Sequence, residues 1–391
     1  MIGRIKNSIY LKALGSIVLV ELLMAGIFGM LLYTSTRQAL AVQAQNVLDS
    51  ARNAYGMILE SDSRMMSAAL DNFMLSDSAW QAFANRDRAK LSGVATPIFE
   101  KNRKRNNISH FYFIEPDGKC FLRVHDQGNH GDIIGRETFK KALQTGRTAG
   151  GIELGKTAFA LRVVAPYARE EAAGSATSFV EFGEEIEHFN RIVKSRIGSD
   201  LVVLLDKKLV DEAGYKKIVG SQYRWDAFAK FAIASSTLEG EAKKLFEAVT
   251  EDQLAGVAAP TVLGIHKQEG QFLSLGCFPL QDISGKRIGV VFTATDATSS
   301  VMKQRREGLI FGGLTVLLLA LSAFAASYIL KNELIGPILR LERDANAISL
   351  GEEVQPLTTE RTDEIGRLIQ SFERMRFSLK KSMAMLAKLK G

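Results

Sequence analysis

Two long apolar runs, residues 13–33 and 308–330, dominate the pattern of the chain. Each matches the roughly 20 residues that a helix needs to cross the hydrocarbon core of a bilayer. The first is longer than the apolar core of a signal peptide, roughly 7–15 residues. Ala39, Leu40 and Ala41 resemble a cleavage site, but the helical pattern runs through them, so an uncleaved anchor is expected. On this reading residues 1–12 are a tail, 13–33 and 308–330 are transmembrane helices, 34–307 lie between them and 331–391 follow. Arg4, Lys6 and Lys12 carry the tail's charge with no acid among them, which places it in the cytoplasm by the positive-inside rule. The second run is basic on both sides (Lys303, Arg305 and Arg306 before it, Lys331, Arg340 and Arg343 after), so the tail decides: two crossings put both termini in the cytoplasm. Glu21 stands inside the first run, where an ionisable group is costly. It is expected to be protonated and hydrogen-bonded in a dimer interface, or to lie in the outer part of the span; a signalling role is the alternative.

The region between the runs opens with helical spacing at Val47, Ala51, Ala54 and Ile58, continuous with the first run and free of helix breakers. The period then changes to two. Residues 108–114 and 120–125 form strands about a Glu115-Pro116-Asp117-Gly118-Lys119 turn, in which proline presets φ and glycine accepts a positive one. Residues 158–165 and 178–182 complete a candidate antiparallel sheet, with a helix over 136–145 across one face. A second set follows: strands over 200–205, 271–279 and 287–294, with Ser284-Gly285-Lys286 as the last turn and helices over 184–195 and 241–249.

The chain carries a net charge of +7, which raises the question of nucleic acid. Six of the bases, Arg374, Arg376, Lys380, Lys381, Lys388 and Lys390, fall in the last eighteen residues, and others flank the apolar runs. That distribution suits anionic headgroups, and no nucleic-acid module is present in the sequence. Two cysteines, Cys120 and Cys277, exclude a disulfide framework. Two buried free thiols are expected, with a single bridge as the alternative. No phosphate loop, HExxH or nucleophile elbow occurs, so neither a catalytic site nor a cofactor is expected.

Phe111 to Ala165 includes the PDGK turn, the LRVH strand, the Gly131-Asp132 pair and a GIELG…LRVV stretch. These resemble the membrane-distal module of a double Cache sensor. With the second set of strands the resemblance covers about residues 35–298. It implies an α+β fold: a long N-terminal helix carrying two PAS-like antiparallel sheets, distal over about 95–183 and proximal over about 198–298. It also implies an extracytoplasmic sensor of small molecules.

Strand alternation places Phe121, Arg123 and His125 on one face and Cys120, Leu122 and Val124 on the other. Arg162 shares a face with Ala158, Ala160 and Val164 on a neighbouring strand. Arginines, a histidine and small alanines would make a basic concavity. A guanidinium fork matches a carboxylate, so a carboxylate ligand is expected, with His125 making binding depend on pH. Arg123, His125, Arg162, Tyr112, Asp132 and Arg136 are the candidate ligand residues. The alternative is that Arg123 pairs with Asp132 or Glu153 and His125 caps a turn. Amino-acid-binding relatives display an Arg-x-Trp run that is missing from this segment, so amino acids are less favoured. His110, His125 and His130 crowd one region, but without helical i, i+4 spacing or a cysteine pair no metal is expected.

Residues from Asn332 onward resemble a HAMP module, the helical coiled-coil relay of bacterial receptors. Pro337 opens its first helix, and Ile338, Leu341, Ala345 and Ile348 follow a and d spacing. Residues 350–363 form a polar connector. Asp363-Glu364-Ile365-Gly366 starts the second helix, and Ile365, Leu368, Phe372, Met375, Leu379 and Leu386 continue the stripe with Ser382 as its polar exception. Pro337, Glu364, Ile365 and Phe372 are the candidate relay residues. Two such helices cannot bury both stripes alone; a parallel dimer of four does so, with a stripe packed on another domain as the alternative. The expected function is therefore a homodimeric membrane receptor that signals to a separate cytoplasmic output protein. The alternatives are a chemoreceptor, histidine kinase or diguanylate cyclase lacking its output domain, and a structural membrane scaffold.

Overall fold

The computed structural model describes residues 9–155, 159–168, 178–220 and 222–390. Arg4, Lys6 and Ala158 lie outside these, as do the side chains of Leu386, Lys388 and Lys390. The chain forms two compact units, one of residues 38–302 and one of residues 1–37 with 303–391.

In the larger unit, helix α1 (Ile9–Met74) supplies the stalk from residue 38 onward, followed by α2 (Asp77–Ala84) and α3 (Arg88–Asn106). The buried stripe of α1 runs through Leu48, Ala51, Tyr55, Ile58, Met66, Leu70 and Phe73. The expected register is therefore one residue out at two positions: Val47 and Ala54 are only half-buried, whereas Leu48 and Tyr55 face the core. Ser76 caps α2 by accepting the Ala79 N–H, and Asp87 caps α3 by accepting that of Lys90, which fixes two tight helix entries. Sequence reasoning missed both helices.

The distal sheet holds β1 (His110–Ile114), β2 (Cys120–Arg123), β3 (Ala149–Leu154), β4 (Phe159–Tyr167) and β5 (Ser178–Glu185) in the order β2-β1-β5-β4-β3. Helix α4 (Glu137–Thr145) lies across it. After α5 (Glu187–Ile197) come β6 (Ser199–Asp206), α6 (Glu212–Val219), β7 (Phe231–Ser236), α7 (Gly240–Glu247) and α8 (Glu251–Ala255). Strands β8 (Thr261–Gln268), β9 (Gln271–Gln281) and β10 (Arg287–Asp296) complete the module. The proximal sheet is ordered β7-β6-β10-β9-β8, the same topology as the distal one, and every pairing in both sheets is antiparallel.

Each sheet buries both faces, which is why its central strands read as near-continuous apolar runs. Phe111, Phe113 and Phe182 of the distal sheet share one core with Tyr55 and Phe73 of α1 and with Leu201, Val203 and Val291 of the proximal sheet. The opposite proximal face packs Val202, Leu204, Phe292 and Cys277 against Phe246 and Leu254 of α7 and α8. Cys120 and Cys277 are both buried and free.

In the smaller unit the N-terminal part of α1 meets α9 (Thr298–Tyr328) through a hydrogen bond between the Tyr10 and Ser327 hydroxyls, 2.8 Å. Glu21 accepts from the Ser322 hydroxyl. Its partner within the chain is thus on the second apolar helix. A π-helical stretch, Ile329–Ile335, leads into α10 (Gly336–Ser349) with Pro337 in its first turn. Helix α11 (Glu364–Lys390) starts at the predicted residue because Asp363 accepts the Gly366 N–H at 2.9 Å.

Candidate functional site

One cavity of about 700 Å³ opens beside the distal sheet, walled by β2, the 126–137 segment and the end of β3. The proximal module closes its other side with Leu209, Asp282, Lys286 and Ile288. The β9–β10 turn therefore reaches across to the distal module. Gly151 of β3 permits this approach, since a Cβ there would come within 2.7 Å of the Ile283 side chain.

The cavity wall is built on a bulge. The β1–β2 register pairs Tyr112 with Arg123 and Phe113 with Leu122, then slips so that Ile114 faces Cys120. The extra residue sends Phe121 and Leu122 both into the stalk core, and brings Cys120 onto the Tyr112 side. Simple alternation, which put Phe121 with Arg123 and Cys120 opposite, fails at this point.

Tyr112 is the centre of the arrangement. Three guanidinium carbons surround its ring at 4.7 Å (Arg136), 5.3 Å (Arg123) and 5.9 Å (Arg162), within cation–π reach. Each arginine also has a carboxylate. Arg162 Nη1 donates to Glu181 Oε1 at 2.7 Å, and Arg136 donates to Glu181 Oε2. Burial works to raise the Glu181 carboxyl, but Arg136 and Arg162 outweigh it and hold the group below its ordinary range. Arg123 donates to Asp132 at 2.8 Å and to the Asn129 carbonyl at 2.7 Å, tying β2 to the following loop. Glu153 accepts the Glu137 and Thr138 N–H groups and the Thr138 hydroxyl, anchoring the start of α4; burial nevertheless raises its carboxyl.

These pairings correct the expectation of an open basic concavity. The arginines are already partnered, Ala160 is fully buried, and the wall carries Asp126, Asp132, Glu137 and Glu153 besides its bases. Arg162 is 1% exposed and does not line the cavity; it sits behind Tyr112 and Glu181. Tyr112, Arg123, His125, Asp132 and Arg136 do line it. Arg136 is held at the N-terminal boundary of α4 with its buried Nε free of any hydrogen-bond partner, and Lys286 is exposed at the opposite wall.

His125 accepts the Phe111 N–H at 3.1 Å and packs its ring against Tyr112 and His110, both at 4.8 Å. Burial above all pushes it down to about 4, with Arg123 and Arg162 adding to the effect. It is neutral near pH 7 and does not provide the expected pH dependence there. His110, deeper in the sheet, is pushed down to about 2 by burial, Arg162, His125 and Arg136.

Residues 42–301 match the dCache_3 family, the double sensory domain of two-component sensor kinases. The chain belongs to this double Cache sensor family. Residues 329–381 match the HAMP domain, which begins three residues earlier than the resemblance suggested. A Cache sensory domain joined to HAMP is a membrane signal-transduction sensor, with the sensory domain extracellular and of the kind that binds small ligands. No curated protein matches the chain. Among solved structures, the Cache sensor is similar to the Escherichia coli DcuS sensor domain (22% identity, 35% of this chain, 98% of that one, TM-score 0.30). It is also similar to the Vibrio cholerae histidine kinase DctB sensor domain (12% identity, 66% and 98%, TM-score 0.39). A third is the ligand-binding domain of the Campylobacter jejuni chemoreceptor Tlp3 in complex with L-valine (11% identity, 69% and 97%, TM-score 0.39).

Glu181 was missed in the sequence, although a lone acid between Val180 and Phe182 in an apolar strand is a signal for a buried ion pair. Lys286 was seen only as a turn residue, because its place at the cavity depends on how the two modules of the Cache sensor meet. In the HAMP module Arg361 bridges Glu333 at 2.9 Å and Asp363 at 2.6 Å, and Leu357 N–H donates to Glu373 at 3.1 Å, so the connector is tied to the π-helical stretch ahead of α10 and to α11. Glu364 pairs with Arg367 at the surface, while Ile365 and Phe372 are half-buried on α11.

Proposed function

We propose that this protein is a bacterial cell-membrane receptor that binds a small carboxylate in the distal cavity and passes the change through HAMP to a cytoplasmic output protein. The observation that carries the ligand class is that Arg136, whose buried Nε lacks an acceptor, and the exposed Lys286 line the same cavity. Buried donors without acceptors are rare, and a carboxylate would meet both groups. Arg123, Tyr112, His125 and Asp132 shape the remaining wall, and Arg162 supports it through Glu181.

A zwitterion is the second reading, favoured by Asp126, Asp132 and Glu153 on the same wall. The cavity touches both modules, so a ligand that prefers one arrangement of them shifts that population by its differential affinity. Residues 13–33 and 308–330 are the proposed spans, with both termini cytoplasmic, the sensor over about 34–307 and the relay over 331–391. The exposed stripe of Ile338 (44%), Leu368 (49%), Met375 (51%) and Leu379 (45%) supports a parallel HAMP dimer of four helices.

The test is a thermal-shift screen of the full chain in detergent against organic acids, amino acids and amines. Acids are expected to raise the melting temperature, with the effect lost in both Arg136→Ala and Lys286→Ala; the second variant removes an exposed amine and leaves the Glu181 cluster intact. Stabilisation by amines alone would overturn the ligand class. The reading frame downstream of codon 391 separates an output protein in trans from an output domain in the same polypeptide.

A further inference from the structure

The buried stripe of α1 is apolar except at Asp62, which falls four residues from both Ile58 and Met66. Its carboxylate meets Glu184, near the end of β5, and His188, in the first turn of α5. One ligand-type atom from each lies within 4.8 Å of the others, and His188 Nε2 is 3.5 Å from Glu184 Oε1.

Among the described residues no donor hydrogen-bonds to the buried oxygens of these acids. Glu184 is 1% exposed and neither of its carboxylate oxygens has a hydrogen-bond partner; Asp62 Oδ2 is likewise buried and unpartnered. Arg196 acts on Asp62 electrostatically without bonding to that oxygen. Asn107 Nδ2 is 3.1 Å from His188 Nε2, and an amide nitrogen only donates, so that ring nitrogen carries a lone pair. Three buried oxygens converge with that ring nitrogen, and among the described residues no donor bonds to the oxygens. Unsatisfied buried carboxylates are costly, and a cation removes the cost.

We propose that Asp62, Glu184 and His188 form a binding site for a divalent first-row transition-metal ion of the Zn²⁺ class. One imidazole and two carboxylates are a borderline N/O donor set, which favours such an ion over Mg²⁺ or Ca²⁺. Two ligands at about 2.0–2.1 Å from a tetrahedral zinc lie about 3.3–3.5 Å apart, in line with the His188–Glu184 separation. The half-exposed His188 and Asp62 leave a path for the ion and a fourth position for water. The exposed Asn107 amide yields its place on Nε2. The ion joins the stalk helix to β5 and to α5, the helix that leads from the distal sheet into β6, so it braces the link between the two modules. This site is separate from the ligand cavity.

The experiment uses the full chain in detergent, stripped with chelator, then dialysed to equilibrium against Zn²⁺, Mn²⁺, Mg²⁺ or Ca²⁺ and melted. About one Zn²⁺ or Mn²⁺ per chain is expected to bind and raise the melting temperature. Glu184→Gln, which keeps the side-chain shape, and His188→Gln, at a half-exposed position, each weaken binding roughly tenfold or more. Should Glu184→Gln fail to fold, His188→Gln carries the test. No bound ion and no shift in the wild type, undiminished binding in the folded variants, or equal binding of Mg²⁺ or Ca²⁺ would each overturn the proposal. Stabilisation on lowering the pH but not on adding metal would assign the gap to a proton and overturn it equally.

Discussion

Replacing Glu181 by Gln removes the one anion that two arginines share while keeping the side-chain volume. Glu181 is 0% exposed, Arg162 1% and Arg136 13%, so neither guanidinium recovers its hydration when the charge is lost. Both arginines already have an Nε without a partner, so the amide leaves a cluster of two buried cations with fewer acceptors than before. Removing one member of a buried ion pair costs about 3–5 kcal/mol. At roughly 2–4 °C per kcal/mol for a unit of this size, the melting temperature falls by roughly 6–20 °C.

The assay follows Trp80, which packs on Tyr167 at 5.1 Å in the distal module, by fluorescence in a Trp225→Phe background. Asp132→Asn is the control. Asp132 is 42% exposed, and Arg123 keeps its bond to the Asn129 carbonyl, so the loss is at most about 1 kcal/mol. A Glu181→Gln melt within about 2 °C of the wild type, or equal losses in the two variants, would refute the claim that Glu181 holds the arginines in place.

His110 and His125 should stay neutral from pH 8 down to about 5, as read from their ring-proton shifts by NMR. Their folded-state pKa values lie below the unfolded value of about 6.5, so the native state binds fewer protons between the two. The His125 contribution is therefore fully present above about pH 6.5 and is lost toward about pH 4, by something on the order of 3 kcal/mol; a midpoint near 6.5 in the folded protein would contradict this. In the HAMP module, a methyl group added at the buried Gly366 would overlap the Arg361 carbonyl. Gly366→Ala should displace the connector at a cost of about 1–3 kcal/mol and speed its proteolysis over 350–363, and an unchanged digestion rate would count against it.

The sequence by itself determined the elements whose physics is local. Two apolar runs too long for a signal peptide gave continuous helices, the Pro116–Gly118 turn gave the β1–β2 hairpin, and Asp363 marked the start of α11. Each depends on residues a few positions apart, so pattern and propensity are enough. Strands β3, β7 and β8, and helix α2, escaped because they are short or half-buried, and their identity comes from the partners they meet.

Only the tertiary structure decided the site. A one-residue bulge opposite Ile114 changed which side chains share a face with Arg123. Arg162 and Arg136, residues with no sequence relation to Glu181, turned out to be bound to it, so a cluster that looked freely basic is partly neutralised. Lys286 reached the cavity because Gly151 lets Ile283 approach, and Asp62 met Glu184 and His188 across more than 120 residues of chain. Charge pairing and register are long-range quantities: the residue types are written in the sequence, but the sign of the field at each one is set by what folding brings beside it.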